Sequence, residues 1–436
     1  MEIPEQNIRL KRIAIATLGC KTNAYESAAI AGQFVSENYV IVPFNSKADI
    51  YIINTCTVTG RTDYKSRNLI RKALARKEEN PEVKVVVTGC FAQRNRDEVM
   101  KLGAVDLVAD NQNKQDIARL IGQTDYTFSD IMQEQEFSYR PVKEMVEHSR
   151  AFQKIQDGCD FRCAYCAVPY GRGNSRSASL EDILTQAKLF VESGYKEIVL
   201  GGVNLGLYRH GANGLVDVVE ALQGLDGLEL IRLSSIEPPL FTDELLERIK
   251  GYSKLCHHFH IPLQSGCDSV LKRMNRPYGT SMFRELIDRI LDSIPNAAIG
   301  LDVITGFPGE TEDEFTATVK FIESLDIAYL HVFSFSKRPG TPAESMTGQI
   351  PNLEKTRRTK ALTALSDQKK KIYALRLITG KVELRGICEA VVGGKGTFLS
   401  DHYIRAYTDA KCEPGELVRI TPLNEFSDGV SDQRLI

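Results

Sequence analysis

No apolar run in this 436-residue sequence is long enough to span a bilayer. The opening residues, MEIPEQNIRLKR, hold no apolar core of the kind a secretory signal needs. A membrane partner is therefore not expected, and cytoplasmic residence is. Net charge is also missing, since 55 Lys and Arg face 57 Asp and Glu. That balance excludes a chain-wide pull on nucleic acid, so any such surface is local. Fixed-period repeats and low-complexity tracts are absent, which excludes a repeat array. Tryptophan is absent too, and this excludes nothing. The length exceeds one ordinary core, so two or three domains are expected. An apolar fraction of 42% with 8% aromatics suits a globular chain rather than a disordered one.

Cysteine, by contrast, is abundant, with ten copies. Disulfide scaffolds belong to small secreted domains, so metal or catalytic use is the better expectation.

The pattern along the chain begins as alternating strand and helix. Apolar strands are expected at 12–17, 50–55, 83–89 and 104–110, with a helix from about Tyr25. Short buried strands with intervening helices imply an open parallel sheet covered on both faces. Residues 126–150 read as a polar linker. The βα pattern then restarts, with strands at 196–202, 228–235, 257–263, 299–307 and 328–335 and an amphipathic helix at 181–194. This implies a closed or partly closed barrel whose active site lies in loops at the strand carboxyl ends. Between Leu353 and Lys381 the chain carries nine Lys or Arg against two acids. The last stretch has short alternating strands with polar or Gly-rich turns, which suggests a small all-β barrel.

Cys159, Cys163 and Cys166 have the spacing C-x3-C-x2-C in IQDGCDFRCAYCAVPYGRG. Thiolates are soft ligands that select iron–sulfur clusters, zinc or copper(I). Three of them on one loop can hold three irons of a cubane and leave the fourth open. No fourth Cys or His stands nearby to close a tetrahedral zinc site. A zinc site completed from afar, or simple packing, are the bland alternatives. Phe161 and Tyr165 interleave the cysteines and can shield a cluster from water.

This spacing, with an aromatic just before the last cysteine, resembles the signature of the radical S-adenosylmethionine superfamily. The resemblance implies a [4Fe–4S] cluster and reductive cleavage of S-adenosylmethionine to a radical that takes a hydrogen from substrate. It also implies a partial (β/α)6 barrel. LGGVNLG is similar to the superfamily's glycine-rich motif, which implicates Gly201, Gly202, Val203 and Asn204 in cofactor binding, although Val203 replaces the usual acid. Ser234 and Glu237 match positions near the ribose. DVITGFPGET resembles the stretch that passes the adenine, implicating Gly306 and Phe307.

Cys20, Cys56 and Cys90 lie far apart, in TLGCKTN, INTCTVTG and VTGCFAQ. Each follows an apolar strand and has small neighbours that let the backbone close around a cluster. In an open α/β sheet, ligands bind beyond the strand carboxyl ends, so the three can meet there. Three buried core cysteines would be the alternative. Together with the second motif, these six cysteines resemble the methylthiotransferase family along essentially the whole chain. The resemblance implies a methylthiotransferase domain with an auxiliary [4Fe–4S] cluster over 1–125, a linker over 126–150, a radical domain over 151–370 and a TRAM-type β-barrel over 371–436. It also implicates Arg172 and Arg176, after the cluster loop. Asp157 and Asp160 read as loop-capping acids. Cys256, Cys267, Cys388 and Cys412 read as packing or incidental thiols.

TLGCKTNAYES is similar to the branch acting on N6-threonylcarbamoyladenosine at tRNA position 37. The implied reaction consumes two S-adenosylmethionines, one as methyl donor and one as radical source, and replaces the C2 hydrogen with a methylthio group. It implies three partners: the tRNA anticodon loop, a flavodoxin- or ferredoxin-type electron donor, and a sulfur donor. The basic run would supply RNA contacts through Lys355, Arg357, Arg358, Lys369, Lys370 and Lys371. Tyr403 and Tyr407 are stacking candidates. Two other readings stand: methylthiolation of a ribosomal-protein aspartate, and a non-catalytic iron–sulfur RNA-binding protein.

Overall fold

The computed structural model describes residues 10–34, 39–123, 125–145 and 148–432. It divides into two compact units. One comprises residues up to Glu144 with Gly158–Asp160 and Ala167–Asn174. The other comprises Met145–Asp157, Phe161–Cys166 and everything from Ser175.

The first unit is a five-stranded parallel sheet. Its strand order is Tyr39–Val42, Lys11–Thr17, Ile50–Thr55, Lys84–Gly89, Leu107–Val108. IYIINT is buried at all six positions because it is the central strand, covered on both faces. Helix Lys21–Phe34 begins directly behind Cys20, four residues earlier than the sequence pattern suggests. Helix Gly60–Glu79 is fixed by a capping box between Thr59 and Thr62. Strand Tyr39–Val42 was not expected from the sequence, and the strand expected over 104–110 shrinks to Leu107–Val108.

The second unit carries six parallel strands in two sheets. One holds Ala151–Lys154, Glu197–Gly201 and Leu230–Leu233; the other holds His258–His260, Ala298–Thr305 and Tyr329–Ser334. An isolated bridge from Ile231 to Leu255, just before the second set, and a hydrogen bond from Ile236 N–H to the His260 carbonyl link them. Among the described residues Ala151–Lys154 does not pair with Tyr329–Ser334, so the set stays open there. Helices such as Leu180–Glu192, Thr280–Ser293 and Glu312–Ser324 cover the outside through Ile183, Phe190, Phe283, Ile287 and Ile322.

A 28-residue helix, Asn352–Thr379, then runs into a six-stranded β region beginning at Leu384. Its inward residues, Leu362, Leu365, Tyr373 and Leu377, recur at helical spacing. The β region packs Leu384, Cys388, Phe398, Ala406, Val418 and Val430 against Tyr373, Ala374 and Leu377. A Cβ on Gly386 would lie 2.3 Å from the Phe398 ring, so no side chain fits there. Its outer strands, Leu417–Ile420 and Asn424–Phe426, do not pair with each other among the described residues. The observed element is a small β-rich region whose barrel closure is not seen.

Asp401 anchors this region and is buried. It accepts hydrogen bonds from Arg385 N (3.1 Å) and Nε (3.0 Å) and lies 2.9 Å from His402 Nδ1. Burial pushes its pKa up, but His402 and Arg385 outweigh this and hold it at about 2. The resulting stability is present above about pH 4 and is lost as pH falls toward 2. Asp401→Asn is expected to cost about 2 kcal/mol near neutral pH. Urea unfolding at pH 7 and pH 3 should show that difference shrink at the lower pH.

Candidate active site

In the first unit, three adjacent strands end at Cys20, Cys56 and Cys90. Registers of Thr17 with Asn54 and Thr55 with Gly89 align the three carboxyl ends. Here the strand order reverses, which opens a crevice in doubly wound sheets. Gly19 has φ +102°, and a Cβ there would sit 2.7 Å from Cys56 Sγ. Glycine thus keeps clear the space beside the thiol. Cys56 and Cys90 are buried, while Cys20 is exposed. Burial, then the neighbouring Cys90 and Cys20, push the Cys56 pKa up to about 12. Burial raises Cys90 as well, opposed by Arg172 and Lys114.

Those cations belong to a buried network. Glu26 accepts from Arg172 Nη1 and Nη2, both at 3.0 Å, and pairs with Lys114. Arg172 also donates to Asn23, and Lys114 to Asn111 at 2.8 Å. Asn111 Nδ2 lies 3.9 Å from Cys90 Sγ. Helix Lys21–Phe34 supplies Asn23 and Glu26, so the turn that presents Cys20 also presents the carboxylate. Within the same unit, Cys159 N–H donates to the Gly173 carbonyl at 3.0 Å.

The second unit holds Cys163 and Cys166. Cys166 N–H donates to the Cys163 carbonyl, and Ala164 N–H to the Met274 carbonyl. Arg276 Nη1 donates to Cys163 Sγ at 2.8 Å and lies 3.4 Å from the Tyr165 hydroxyl. The same guanidinium pairs with Glu237 and donates to Tyr278 Oη at 2.9–3.0 Å. Burial raises the Cys163 and Glu237 pKa values, and Arg276 pulls both down. Sequence pattern does not mark Arg276. Its ion pair joins residues 39 positions apart, so no local pattern marks it.

The expected cofactor positions fall as follows. Gly201 ends its strand, and Val203 and Asn204 N–H groups both donate to Gln156 Oε1, at 2.9 and 3.0 Å. A Cβ on Gly202 would lie 2.8 Å from that oxygen. Asn204 Nδ2 is buried and meets no acceptor among the described residues. Ser234 donates to the Leu200 carbonyl at 2.7 Å. Gly306, at φ +71°, donates to Glu310, and Phe307 packs with Ala164 and Phe335. Arg176 lies 3.8 Å from Asp157, which Lys154 also holds.

The basic run divides by helix face. Arg358 is buried and pairs with Glu310, Glu312 and Glu354. Arg357 pairs with Glu312 and Glu354, Lys355 donates to the Phe335 carbonyl, and Lys369 to the Glu323 and Leu325 carbonyls. Lys370 and Lys371 line a cavity of about 560 Å³ with Tyr403 and Arg405. Tyr403 stacks on His258, ring centroids 4.0 Å apart. Tyr407 bonds Asp428 and packs on Phe426.

By donor chemistry the cysteines suit an iron–sulfur group: their sulfurs are soft, Cys56, Cys90 and Cys163 are buried, and Gly19 keeps clear the space beside Cys56. Among the described residues, the one trio of donor atoms mutually within 4.8 Å is His260, Asp302 and His331. Sulfurs that ligate different irons of a cubane lie farther apart than donors sharing one ion, so the cysteines need not meet that spacing. Cys388 and Cys412 are free thiols with sulfurs 3.3 Å apart.

The radical SAM superfamily model matches residues 154–322, and that of the uncharacterized protein family UPF0004 matches residues 12–110. The chain is 40% identical to the threonylcarbamoyladenosine tRNA methylthiotransferase MtaB of Bacillus subtilis, over 83% of this chain and 82% of that one. It is 37% identical to the protein of that name from Aquifex aeolicus, over 94% and 99%. Among solved structures, the radical S-adenosylmethionine methyltransferase TsrM from Kitasatospora setae has a TM-score of 0.58 at 13% identity, over 77% of each chain. At that identity the likeness concerns the fold alone.

Proposed function

We propose that this chain, which belongs to the MtaB-type threonylcarbamoyladenosine tRNA methylthiotransferase family, replaces the C2 hydrogen of N6-threonylcarbamoyladenosine 37 in tRNA with a methylthio group. The observation that carries this reading is the gathering of Cys20, Cys56 and Cys90 at one sheet edge, in a chain that also holds C-x3-C-x2-C. Cys20, Cys56 and Cys90 would hold an auxiliary [4Fe–4S] cluster, and Cys159, Cys163 and Cys166 the radical-generating one. When bound, the clusters and S-adenosylmethionine would supply one-electron chemistry, a place to hold the donated sulfur, and a methyl group.

The chain's own residues do the placing. Arg276 orients Cys163 through its N–H bond and neutralises Glu237 beside it. Gln156 fixes the turn at Val203 and Asn204, which leaves Asn204 Nδ2 free to donate to S-adenosylmethionine. Phe307, Ala164 and Phe335 keep water from the floor of the loop. Lys370 and Lys371 offer charge to an RNA backbone, and the β-rich region acts as a TRAM-type module. A flavodoxin- or ferredoxin-type protein supplies electrons, and a separate donor the sulfur. No described helix is long and apolar enough to cross a membrane.

The test is direct. Reconstituted protein, S-adenosylmethionine, reductant, a sulfide source and an anticodon stem-loop carrying threonylcarbamoyladenosine should give the methylthio nucleoside by mass spectrometry. A product modified elsewhere than C2, or none, contradicts the reading.

A further inference from the structure

Three adjacent parallel strands of the second unit carry His260, Asp302 and His331. Asp302 and His331 are register partners, and His260 lies beside Gly300, two residues before Asp302. Alternation along a strand puts His258 with His260, and Tyr329 with His331, on one face. The contacts agree. His260 Nε2 lies 2.9 Å from Asp302 Oδ1, and His331 Nδ1 lies 3.4 Å from the same oxygen. Ser235 Oγ bonds His260 Nδ1, so both ring nitrogens of His260 are used.

The group sits between two features already described. On one side, Glu237, the partner of Arg276, feels the charges of Asp302 and His260. On the other, His331 is exposed and lines the 560 Å³ cavity with Tyr329, Tyr403, Lys370, Lys371 and Arg405. That cavity is lined in part by Tyr329–Ser334, whose outer edge has no strand partner among the described residues. Burial raises the pKa of Asp302, but the two imidazoles outweigh it and hold it at about 2. Asp302 thus sits behind His331, whose imidazole faces a rim of mixed charge, with Lys370, Lys371 and Arg405 beside Asp367, Glu425 and Asp428.

We infer that Ser235, His260, Asp302 and His331 bind the threonylcarbamoyl substituent of the target adenosine. This rests on the substrate reading above. The substituent carries ureido N–H groups and a hydroxyl, which donate, and a carboxylate, which accepts. Asp302 takes the donors. The carboxylate, which Asp302 repels, points toward His331 and the lysines at the rim. An apolar substituent would strip water from Asp302 and return no hydrogen bond, and sites that leave polar groups unpaired reject such ligands strongly.

The test compares reconstituted holoenzyme with Asp302→Asn and His331→Phe variants. The probes are anticodon stem-loops bearing threonylcarbamoyladenosine or plain adenosine at position 37. Wild type should bind the modified loop more tightly. Each variant should bring the affinity ratio toward one and lower kcat/KM on the modified loop about 100-fold. Iron content and melting behaviour report whether each variant is intact. His331→Gln, which keeps a donor, should recover much of the ratio. Unchanged ratios in both variants would overturn the inference. So would a stoichiometric divalent ion other than cluster iron that is lost with His331→Phe, since the same donors would then be metal ligands. If wild type ignores the modified loop, the substrate reading fails instead.

Discussion

Replacing Cys20, Cys56 and Cys90 together with alanine is expected to remove about half of the iron from the reconstituted protein and to abolish methylthio product. The three thiols sit at the ends of neighbouring strands, where burial and the neighbouring sulfurs raise the proton affinity of Cys56 and Cys90. Such a set is poorly served by water or by a hydrogen-bond donor. It is well served by a positive inorganic core that accepts thiolates. Alanine is the better substitution, because serine at Cys56 or Cys90 would bury a hydroxyl with no assured partner. The second set, at Cys159, Cys163 and Cys166, keeps its own backbone bonds in the variant. Iron and sulfide assays with electron paramagnetic resonance read the result. Iron content equal to wild type would remove the auxiliary cluster from the account.

Glu26→Ala should be the most destabilising single change in the first unit. Glu26 is fully buried, as is Lys114, and Arg172 is 2% exposed. Removing the carboxylate takes from two buried cations the anion they share, while Asn23 and Asn111 still accept from them. Breaking a buried pair this way costs about 3–5 kcal/mol. Adding Lys114→Met should recover part of that loss, because one of the stranded charges goes with it. Chemical denaturation of the intact chain, followed through a probe in the first unit, checks both values. A cost below about 1 kcal/mol would mean that the pairing is not structural, since exposed ion pairs reach only that size.

The chemistry-bearing cysteines were legible because spacing and strand ends are local features. C-x3-C-x2-C is a pattern within one loop, and each of Cys20, Cys56 and Cys90 directly follows its own apolar run. The contacts that support them were not legible, although the family resemblance implicates Arg172. Arg276 reaches Cys163 over 113 positions, and Arg172 reaches Glu26 over 146. Nothing near either arginine announces its partner. Strand Ala151–Lys154 was missed for a related reason. Its sequence, AFQK, is half polar, yet all four residues are buried. Gln153 bonds the Ile183 carbonyl and Lys154 bonds Asp157, which makes that burial tolerable. The basic run shows the opposite limit. Its charge was plain, but composition could not say that Arg358 turns inward to Glu310 while Lys370 and Lys371 face a cavity. His260, Asp302 and His331 lie on strands the sequence marked, but their convergence depends on register, which no single strand reveals.

The measurement that bears most directly on the central claim is nucleoside mass spectrometry of total tRNA from cells with and without this gene. The account requires 2-methylthio-N6-threonylcarbamoyladenosine to vanish on deletion, with its unmethylthiolated precursor rising in step, and to return with the intact gene but not with the Cys163→Ala form. An unchanged level of the methylthio nucleoside after deletion would contradict it.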